Sequence, residues 1–321
     1  MDALCSFLLG SSATAIKPLT GVEDWLASRP PLPFTNPIER AAAGGFLADR
    51  VGYAFAAGYQ EALARLLAGT ALADRCQQPM ALCATEDGGV HPRAILTTLT
   101  AAPDADPAAP LRLSGHKRFV TMGALARWLL LIVRRGVDAQ GRSQLAAVCI
   151  PSDRRGLSMT AAPPTSFVPE IPHTGLELRD VEVSPDELLP GDGYERYLKP
   201  FRTIEDLHVH AALLGYLIQV ARRSAWPAER IAEALSILCG LLPLAAASPL
   251  SPAVHIALSG SIAATARFVR DTASLWTQVE PEVAARFQRD QRLLSVASQA
   301  RAARFDSAWR ALNPSQSVGT P

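Results

Sequence analysis

The sequence predicts an α+β protein in which a β-rich centre lies between two helical parts. Apolar and polar residues alternate over 94–100 and 176–183, and the run 145–150 is continuously apolar. Alternation of period two and short apolar runs, bounded by Pro, Gly and Asp, are typical of strands. On both flanks apolar residues recur at helical spacing, as at Leu47 and Val51.

The length of 321 residues suits one large domain or two to three small ones that share a core. We expect a short helical segment over residues 1–77, a middle β-domain over 78–190 and a C-terminal helical bundle over 191–321. The apolar start Met1–Gly10 carries Asp2 rather than Lys or Arg. We therefore expect it to begin the fold and not to act as a signal peptide.

Composition narrows the class of protein. Lys and Arg number 31 against 30 Asp and Glu, so nothing in the charge predicts a nucleic-acid partner or an acidic membrane. The five cysteines contain no CxxC pair, which favours a reducing compartment over zinc or disulfides. No apolar stretch is long and charge-free enough to span a bilayer. We expect a cytoplasmic protein.

The N-terminal part begins with a Pro-rich stretch over 11–40, which we expect to be irregular apart from a turn or two near 22–26. Asn36 followed by Pro37 is typical of a helix cap with proline in the first turn. Helical spacing then covers 41–57 and 60–72. Two or three helices are therefore expected before the β-domain, in which 101–110 should form a surface turn.

The C-terminal part is helical from Leu198 onward. A long helix over Phe201–Ile218 should open it, with Thr203 as cap and Glu205 and Asp206 in the first turn, where acids meet the positive end of the helix dipole. Further helices are expected over 228–242, 252–278 and 281–312, followed by a polar, frayed tail over 313–321.

Three motifs in the β-rich centre carry a resemblance. Ala84, Thr85 and Glu86 precede a glycine pair; Ser114–Lys117 is followed by Phe119–Thr121; and a later strand ends at Asp180 and Val181. In this order and at these separations they resemble the middle domain of the acyl-CoA dehydrogenase family, over about residues 78–312. The family context, and a run of Leu, Ile and Val that suits a buried strand, favour a turn and then a strand through Trp128–Val133 over a helix.

The resemblance implies a shortened, divergent member of that family. Its fold would have reduced N-terminal helices, a central antiparallel β-barrel-like domain and a C-terminal bundle. It also implies FAD, held by backbone groups and one hydroxyl at strand edges while apolar side chains cover the ring. The implied cofactor-binding residues are Leu82, Ala84, Thr85, Phe119, Val120 and Thr121. The alternative is that Thr85 and Thr121 are ordinary threonines at strand ends.

The resemblance also implies a catalytic base. Some family members place it on the first long helix after the β-domain, and counting back from Gly215 gives Glu205. A carboxylate in an apolar pocket could have its pKa raised toward neutrality, tuned by Asp206 and Arg202. The alternative is that Glu205 only stabilises the N-terminus of its helix.

The sequence departs from the family pattern in four places. The loop 87–92 differs from the usual phosphate or substrate loop, no Arg-x-x-Phe-Gly segment follows 225–227, and no glycine pair lies within 248–260. At the usual base position, counted from Arg289 and Asp290, stands Ser298. A serine there cannot take an α-proton without activation.

Two functions follow as expectations. The first is an FAD-dependent acyl-CoA dehydrogenase of fatty-acid metabolism, which desaturates an acyl-CoA or acyl-carrier thioester with Glu205 as base. The second is a non-catalytic protein of the same fold that acts as a binding protein or partner subunit. The resemblance implies a homo-oligomer or hetero-oligomer in either case. His208 and His210 are two residues apart and make a poor metal pair, so no metal is expected.

Overall fold

The structure is a computed structural model that describes residues 1–13, 16, 18–101, 110–162 and 165–314. Most of the expected surface turn at 101–110, and of the expected tail at 313–321, lies outside these residues. The described chain divides into two compact units. The helical unit comprises, within these ranges, Met1–Ala62, Ser166–Glu170 and Thr203–Pro321; the sheet unit comprises Leu63–Thr165 and Ile171–Arg202. The three-part division expected from the sequence stays a prediction.

Nine α-helices are found among the described residues. They are α1 (Asp2–Gly10), α2 (Val22–Ser28), α3 (Pro37–Phe46), α4 (Val51–Leu67), α5 (Lys199–Arg223), α6 (Ala228–Ala246), α7 (Pro252–Asp271), α8 (Pro281–Asp290) and α9 (Ser298–Leu312). The last turn of α4 and the first residues of α5 belong to the sheet unit. None of these helices combines the length and the apolarity that a membrane crossing needs.

Four helices, rather than the expected two or three, precede the sheet. Two helices precede the expected helical region: α1, which buries Leu4 and Leu8 one turn apart, and α2, where only a turn or two was expected. The expected cap of α3 is confirmed: the Asn36 side chain accepts a hydrogen bond from the Ile38 amide at 3.3 Å, with Pro37 at the first position. The prediction of one helix over 41–57 was wrong in one respect. The helix is interrupted, because α3 ends at Phe46 and α4 begins at Val51.

Helix α5 is in backbone contact with α3 and α4 at glycines. A Cβ atom on Gly45 would lie 1.9 Å from the Ala212 carbonyl oxygen, and one on Gly215 would lie 2.1 Å from that of Ala42. A Cβ atom on Gly58 would lie 2.7 Å from the His208 carbonyl oxygen. Larger residues at these positions would push the helices apart, so the glycines set how closely α5 is enclosed.

The sheet unit contains seven strands among the described residues. They are β1 (Met80–Cys83), β2 (Thr98–Thr100), β3 (Leu111–Thr121), β4 (Trp128–Val137), β5 (Ser143–Pro151), β6 (Leu157–Ala161) and β7 (His173–Val183). Their order is β1-β4-β2-β3-β7-β6, with β5 also paired to β4. The sheet curls into a half-barrel. Its longer pairings are antiparallel, while β1 and β2 each pair with β4 in parallel.

The strands expected over 128–133, 145–150 and 176–183 are confirmed by β4, β5 and β7. The alternation over 94–100 produces a strand only from Thr98, because a short 3₁₀ turn at Pro92–Ala94 precedes it. One face of the sheet packs into a core in which the side chains of Leu113, Leu131 and Val148 are buried. Burial of this apolar surface is the main stabilising contribution to the unit.

A buried ion pair joins the loop after β1 to β3. The Lys117 ammonium donates to the Glu86 carboxylate at 2.6 Å and to the Ile132 carbonyl at 2.6 Å. The same carboxylate accepts from the amides of Leu96 at 2.7 Å and Thr97 at 3.1 Å. Burial alone would raise the pKa of Glu86, but Lys117 and these donors outweigh it and hold the pKa below its ordinary value.

We predict that Lys117→Met lowers the free energy of unfolding by about 3–5 kcal/mol, because it leaves the Glu86 carboxylate buried without its counter-ion. Urea unfolding measures the change. In the double variant Glu86→Gln/Lys117→Met the buried charge is gone, so the cost should be smaller than the sum of the two single variants. Costs that simply add would show that the two side chains do not depend on each other.

Candidate functional site

The seven residues implied as functional fall into two sets in different units. The six implied for the flavin lie in the sheet unit, and Glu205 lies in the helical unit.

Within the sheet unit the structure brings the implied flavin residues of β1 and β3 together. The Arg118 amide donates to the Thr85 carbonyl oxygen at 2.8 Å, so the chain after β1 lies directly beside the end of β3. Leu82 lies in β1, and Ala84 and Thr85 follow it. Phe119, Val120 and Thr121 form the end of β3.

A bulge turns Phe119 out of the regular sheet. The pairing of β3 with β7 shifts between Lys117 and Val120, and Phe119 has a left-handed backbone with φ of 52°. Its side chain is 49% exposed, which is unusual for a phenylalanine. A bulge that aims an aromatic ring away from the core is typical of functional sites.

Two threonines on the segments next to Phe119 carry hydroxyls that are available for a ligand. Thr85 and Thr121 are half-buried, and within the described ranges neither side chain has a hydrogen-bond partner. Val120 and Ala84 are buried and anchor the two segments. An exposed aromatic ring, two threonines on adjacent segments and strand-edge backbone suit a flat ring with a polar edge. The residues therefore fit the isoalloxazine ring, which FMN and FAD share.

The expected start of the long C-terminal helix was wrong. A π-helical turn at Tyr194–Leu198 leads into α5, and the Asp192 carboxylate accepts from the amides of Tyr194 and Glu195, both at 2.8 Å. The Asp192 side chain thus caps the first amides of this helical run. An Asp-Gly sequence directly before a helical run is the signal in the sequence for such a cap.

Thr203 accordingly lies inside the helix and caps nothing. It is fully buried, and its hydroxyl lies 3.2 Å from Nε2 of His255 on α7. Glu205 and Asp206 are likewise interior residues of α5, not first-turn residues. Because the dipole of a helix acts within its first turn, stabilisation of the N-terminus does not explain an acid at position 205.

The surroundings of Glu205 strongly disfavour its charged form. The residue keeps a small exposed area, yet burial of its carboxyl raises the pKa to about 8, and the neighbouring Asp206 carboxylate raises it further. Arg301 and Arg304 act in the opposite direction. Glu205 has no hydrogen-bond partner within the described chain. At neutral pH it is therefore mostly a protonated acid that can become a strong carboxylate base.

Helix α9 supplies the arginines that neutralise Asp206. Arg301 donates from Nε at 2.9 Å and from Nη2 at 2.7 Å to one carboxylate oxygen, and Arg304 donates to the other. The sequence had suggested Arg202 for this neighbourhood, but Arg202 donates to the Val90 carbonyl oxygen in the sheet unit at 3.2 Å. The separation of about a hundred residues hid the two arginines from sequence reasoning.

Ser298, which the sequence comparison placed at the usual base position, is the first residue of α9 and is exposed. The Arg289 and Asp290 pair from which it was counted is structural: Asp290 is fully buried and accepts from the Val168 amide at 2.7 Å and from Arg289 at 2.7 and 2.8 Å.

The two histidines of α5 bond to their own helix. Nδ1 of His208 lies 2.7 Å from the Ile204 carbonyl oxygen, and Nδ1 of His210 lies 2.7 Å from that of Asp206. Burial lowers the pKa of His210 to about 4, so it is neutral at physiological pH. The residues that the structure describes contain no cluster of ligands suited to a metal ion.

No protein-family model matches the sequence, and no curated protein matches it. Solved structures do match in fold. Butyryl-CoA dehydrogenase from Megasphaera elsdenii is 14% identical with a TM-score of 0.64, and the match covers 84% of this chain and 80% of that one. A putative acyl-CoA dehydrogenase from Mycobacterium smegmatis is 15% identical with a TM-score of 0.67, over 97% and 88%. PigA, solved with FAD and proline, is 12% identical with a TM-score of 0.70, over 97% and 98%.

These similarities confirm the expected fold class. The chain has the acyl-CoA dehydrogenase fold, with a half-barrel sheet and a C-terminal helical region. At such low identities the fold is what the comparison establishes, and the activity is a separate question.

We predict that Glu205→Gln stabilises the protein increasingly as the pH rises. Folding raises the pKa of Glu205 from its ordinary 4.5 to about 8, so the folded state retains a proton that the unfolded state loses. The wild-type free energy of unfolding should therefore fall between these values and level off above them. The Glu205→Gln variant has no titrating group at this position, so its free energy of unfolding does not fall for this reason.

Urea unfolding at about pH 5 and about pH 9 measures the difference, which should grow by about 2 kcal/mol or more in favour of the variant. Glu195→Gln, which removes an exposed carboxylate just before α5, controls for the loss of one charge. A Glu205→Gln difference that is the same at both pH values would contradict the burial argument.

Proposed function

We propose that this protein is a flavoprotein that desaturates an acyl thioester between Cα and Cβ. The observation that carries the proposal is the carboxyl of Glu205, an interior residue of α5. Burial raises the pKa of this carboxyl to about 8. A general base is most effective when its pKa lies near the operating pH. The raised pKa of Glu205 meets this requirement, and its carboxyl has no hydrogen-bond partner within the described chain.

A flavin is supported by the sheet unit and by a structural relative. PigA was solved with FAD, and the exposed Phe119, together with Thr85 and Thr121 on adjacent segments, suits the ring of such a cofactor. In this role Phe119 would cover a face of the ring, and the two threonines with the neighbouring backbone would hold its polar edge. When bound, the flavin supplies the hydride acceptor.

The remaining steps belong to residues of this chain. The Glu205 carboxylate takes the α-proton, and the burial of this carboxyl raises its pKa and so keeps the carboxylate a strong base. Asp206, held by Arg301 and Arg304, contributes a fixed charge next to the base. Desaturation requires the base and the hydride acceptor at adjacent carbons of one thioester.

The proposal also covers the carrier of the acyl group, the particular flavin and the cellular context. The acyl group would be carried by CoA or by an acyl-carrier protein; the name of butyryl-CoA dehydrogenase refers to the first kind of carrier. Of the two flavins, FAD is the cofactor that the sequence motifs imply. The proposed protein acts in the cytoplasm as an oligomer, and an acyl thioester substrate would place it in fatty-acid metabolism.

A second function is favoured by two observations on the sequence. The exposed Ser298 stands where the count from Arg289 and Asp290 puts the usual base. The segments that the family pattern would place at the cofactor phosphates are not found in the sequence. A non-catalytic protein of this fold, acting as a binding protein or as a subunit that completes the site of a partner, would tolerate both losses. The two functions differ in whether the protein alone binds a flavin.

We predict that the purified protein binds FAD or FMN and shows a flavin absorption band. Phe119→Ala should weaken this binding about tenfold, because an aromatic contact contributes about 0.5–1.5 kcal/mol beyond its buried area. Titration followed by visible absorption and flavin fluorescence measures the affinity. Met159→Ala, which removes another exposed apolar side chain of the same sheet, should leave it unchanged.

If the protein has no bound flavin after FAD or FMN is added and the unbound flavin is removed, the non-catalytic function is supported instead. Equal affinities for wild type and Phe119→Ala would remove Phe119 from the site while leaving the flavoprotein proposal in place.

A further inference from the structure

A cavity of about 260 Å³ lies in the helical unit, between α2, the loop after it, α3 and α4. None of the residues implied for the flavin and no residue of α5 lines it. Its walls are largely apolar: Leu19, Trp25, Leu32, Leu47 and Ala57 contribute to them. An apolar cavity with a few polar groups at one side is the usual form of a small-molecule site.

Among the described residues, three charged side chains line the same cavity, and together they leave one positive charge in excess. Arg40 and Arg29 share a single carboxylate, that of the buried Glu61. Arg40 is fully engaged, because Nη2 lies 2.6 Å and Nε 2.8 Å from Glu61, and Nη1 donates to the Thr35 carbonyl oxygen at 2.7 Å. Arg40 therefore holds Glu61 in place and has little left to offer a ligand.

Arg29 differs from Arg40 because its guanidinium has no hydrogen bond within the described ranges. Its nearest carboxylate oxygen belongs to Glu61 and lies 4.0 Å away, and the guanidinium stacks 5.2 Å from the centre of the Trp25 ring. The Arg29 side chain is 36% exposed at the mouth of the cavity, and the buried part of its surroundings lowers its pKa. A guanidinium with unused donors beside apolar walls is a suitable anchor for an anion.

The volume limits the size of the ligand. A cavity of about 150 Å³ holds benzene, so about 260 Å³ suits on the order of ten non-hydrogen atoms. With one excess positive charge and apolar walls, the matching ligand has one negative charge and an apolar body. A compact phosphate dianion would leave the apolar walls unfilled, and a larger nucleotide would not fit.

We propose that this cavity binds a small organic monocarboxylate, with its carboxylate on Arg29 and an apolar body of about six to eight carbons against Trp25 and the leucine side chains. The site is independent of the proposed flavin chemistry, since it uses none of the residues assigned there. Octanoate is the simplest probe of this class.

Isothermal titration calorimetry of the full chain with octanoate tests the proposal. Octanoate should bind with a Kd on the order of 1 mM or tighter, and 1-octanol, which lacks the charge, should bind at least about tenfold more weakly. Arg29→Gln should weaken octanoate about tenfold or more without changing octanol, and Arg29→Lys should restore part of the loss. Arg270→Gln, an exposed arginine on α7, is the matched control and should bind as wild type does.

The position of the ligand is tested by 8-bromooctanoate, whose bromine quenches nearby indole fluorescence. Quenching should be lost in Trp25→Phe, while the calorimetric affinity is largely kept. The proposal is overturned if octanoate does not bind the wild type, if octanoate and octanol bind equally well, if Arg29→Gln binds octanoate as wild type does, or if Trp25→Phe is quenched like wild type. A thermal unfolding curve for each variant excludes global unfolding as the cause of a loss.

Discussion

The helical unit depends on backbone contact between α5 and the two helices that cross it. Glycines at positions 45, 58 and 215 allow α3 and α4 to approach α5 until a single added methyl group would meet a carbonyl oxygen. Every residue from Asp206 to Ala221 is buried as a result. Helices this close exclude water from the groove between them, so polar groups on α5 must find partners there or change their protonation.

The polar residues of α5 show both outcomes. Asp206 remains beside two arginines of α9, and Nδ1 of His210 bonds to the carbonyl of the preceding turn while burial keeps the ring neutral. Glu205 has neither a partner nor full solvation, and its pKa rises to about 8. A strained electrostatic position of this kind is costly for stability, and such costs are concentrated at functional sites. The proposed base thus lies directly before the stretch of α5 that is buried throughout.

The sequence predicted the β-rich centre well because its signals are local. Alternation and apolar runs located β4, β5 and β7. The residues that set the chemistry of Glu205 were not predictable in the same way. Arg301 and Arg304 meet Asp206 across about a hundred residues, and the Glu86 and Lys117 pair spans a shorter but still non-local separation. The start of α5 was missed because its cap, Asp192, also forms an ordinary turn sequence.

The most direct test of the central claim, that Glu205 is the base, is anaerobic mixing of the flavin-loaded protein with saturated acyl-CoA thioesters of different chain lengths. Loss of the flavin band reports hydride transfer. In wild type the rate of bleaching should rise as the pH increases through about 8, because only the Glu205 carboxylate accepts the α-proton. Glu205→Gln should bind flavin and remain yellow. Bleaching of Glu205→Gln at the wild-type rate would contradict the claim.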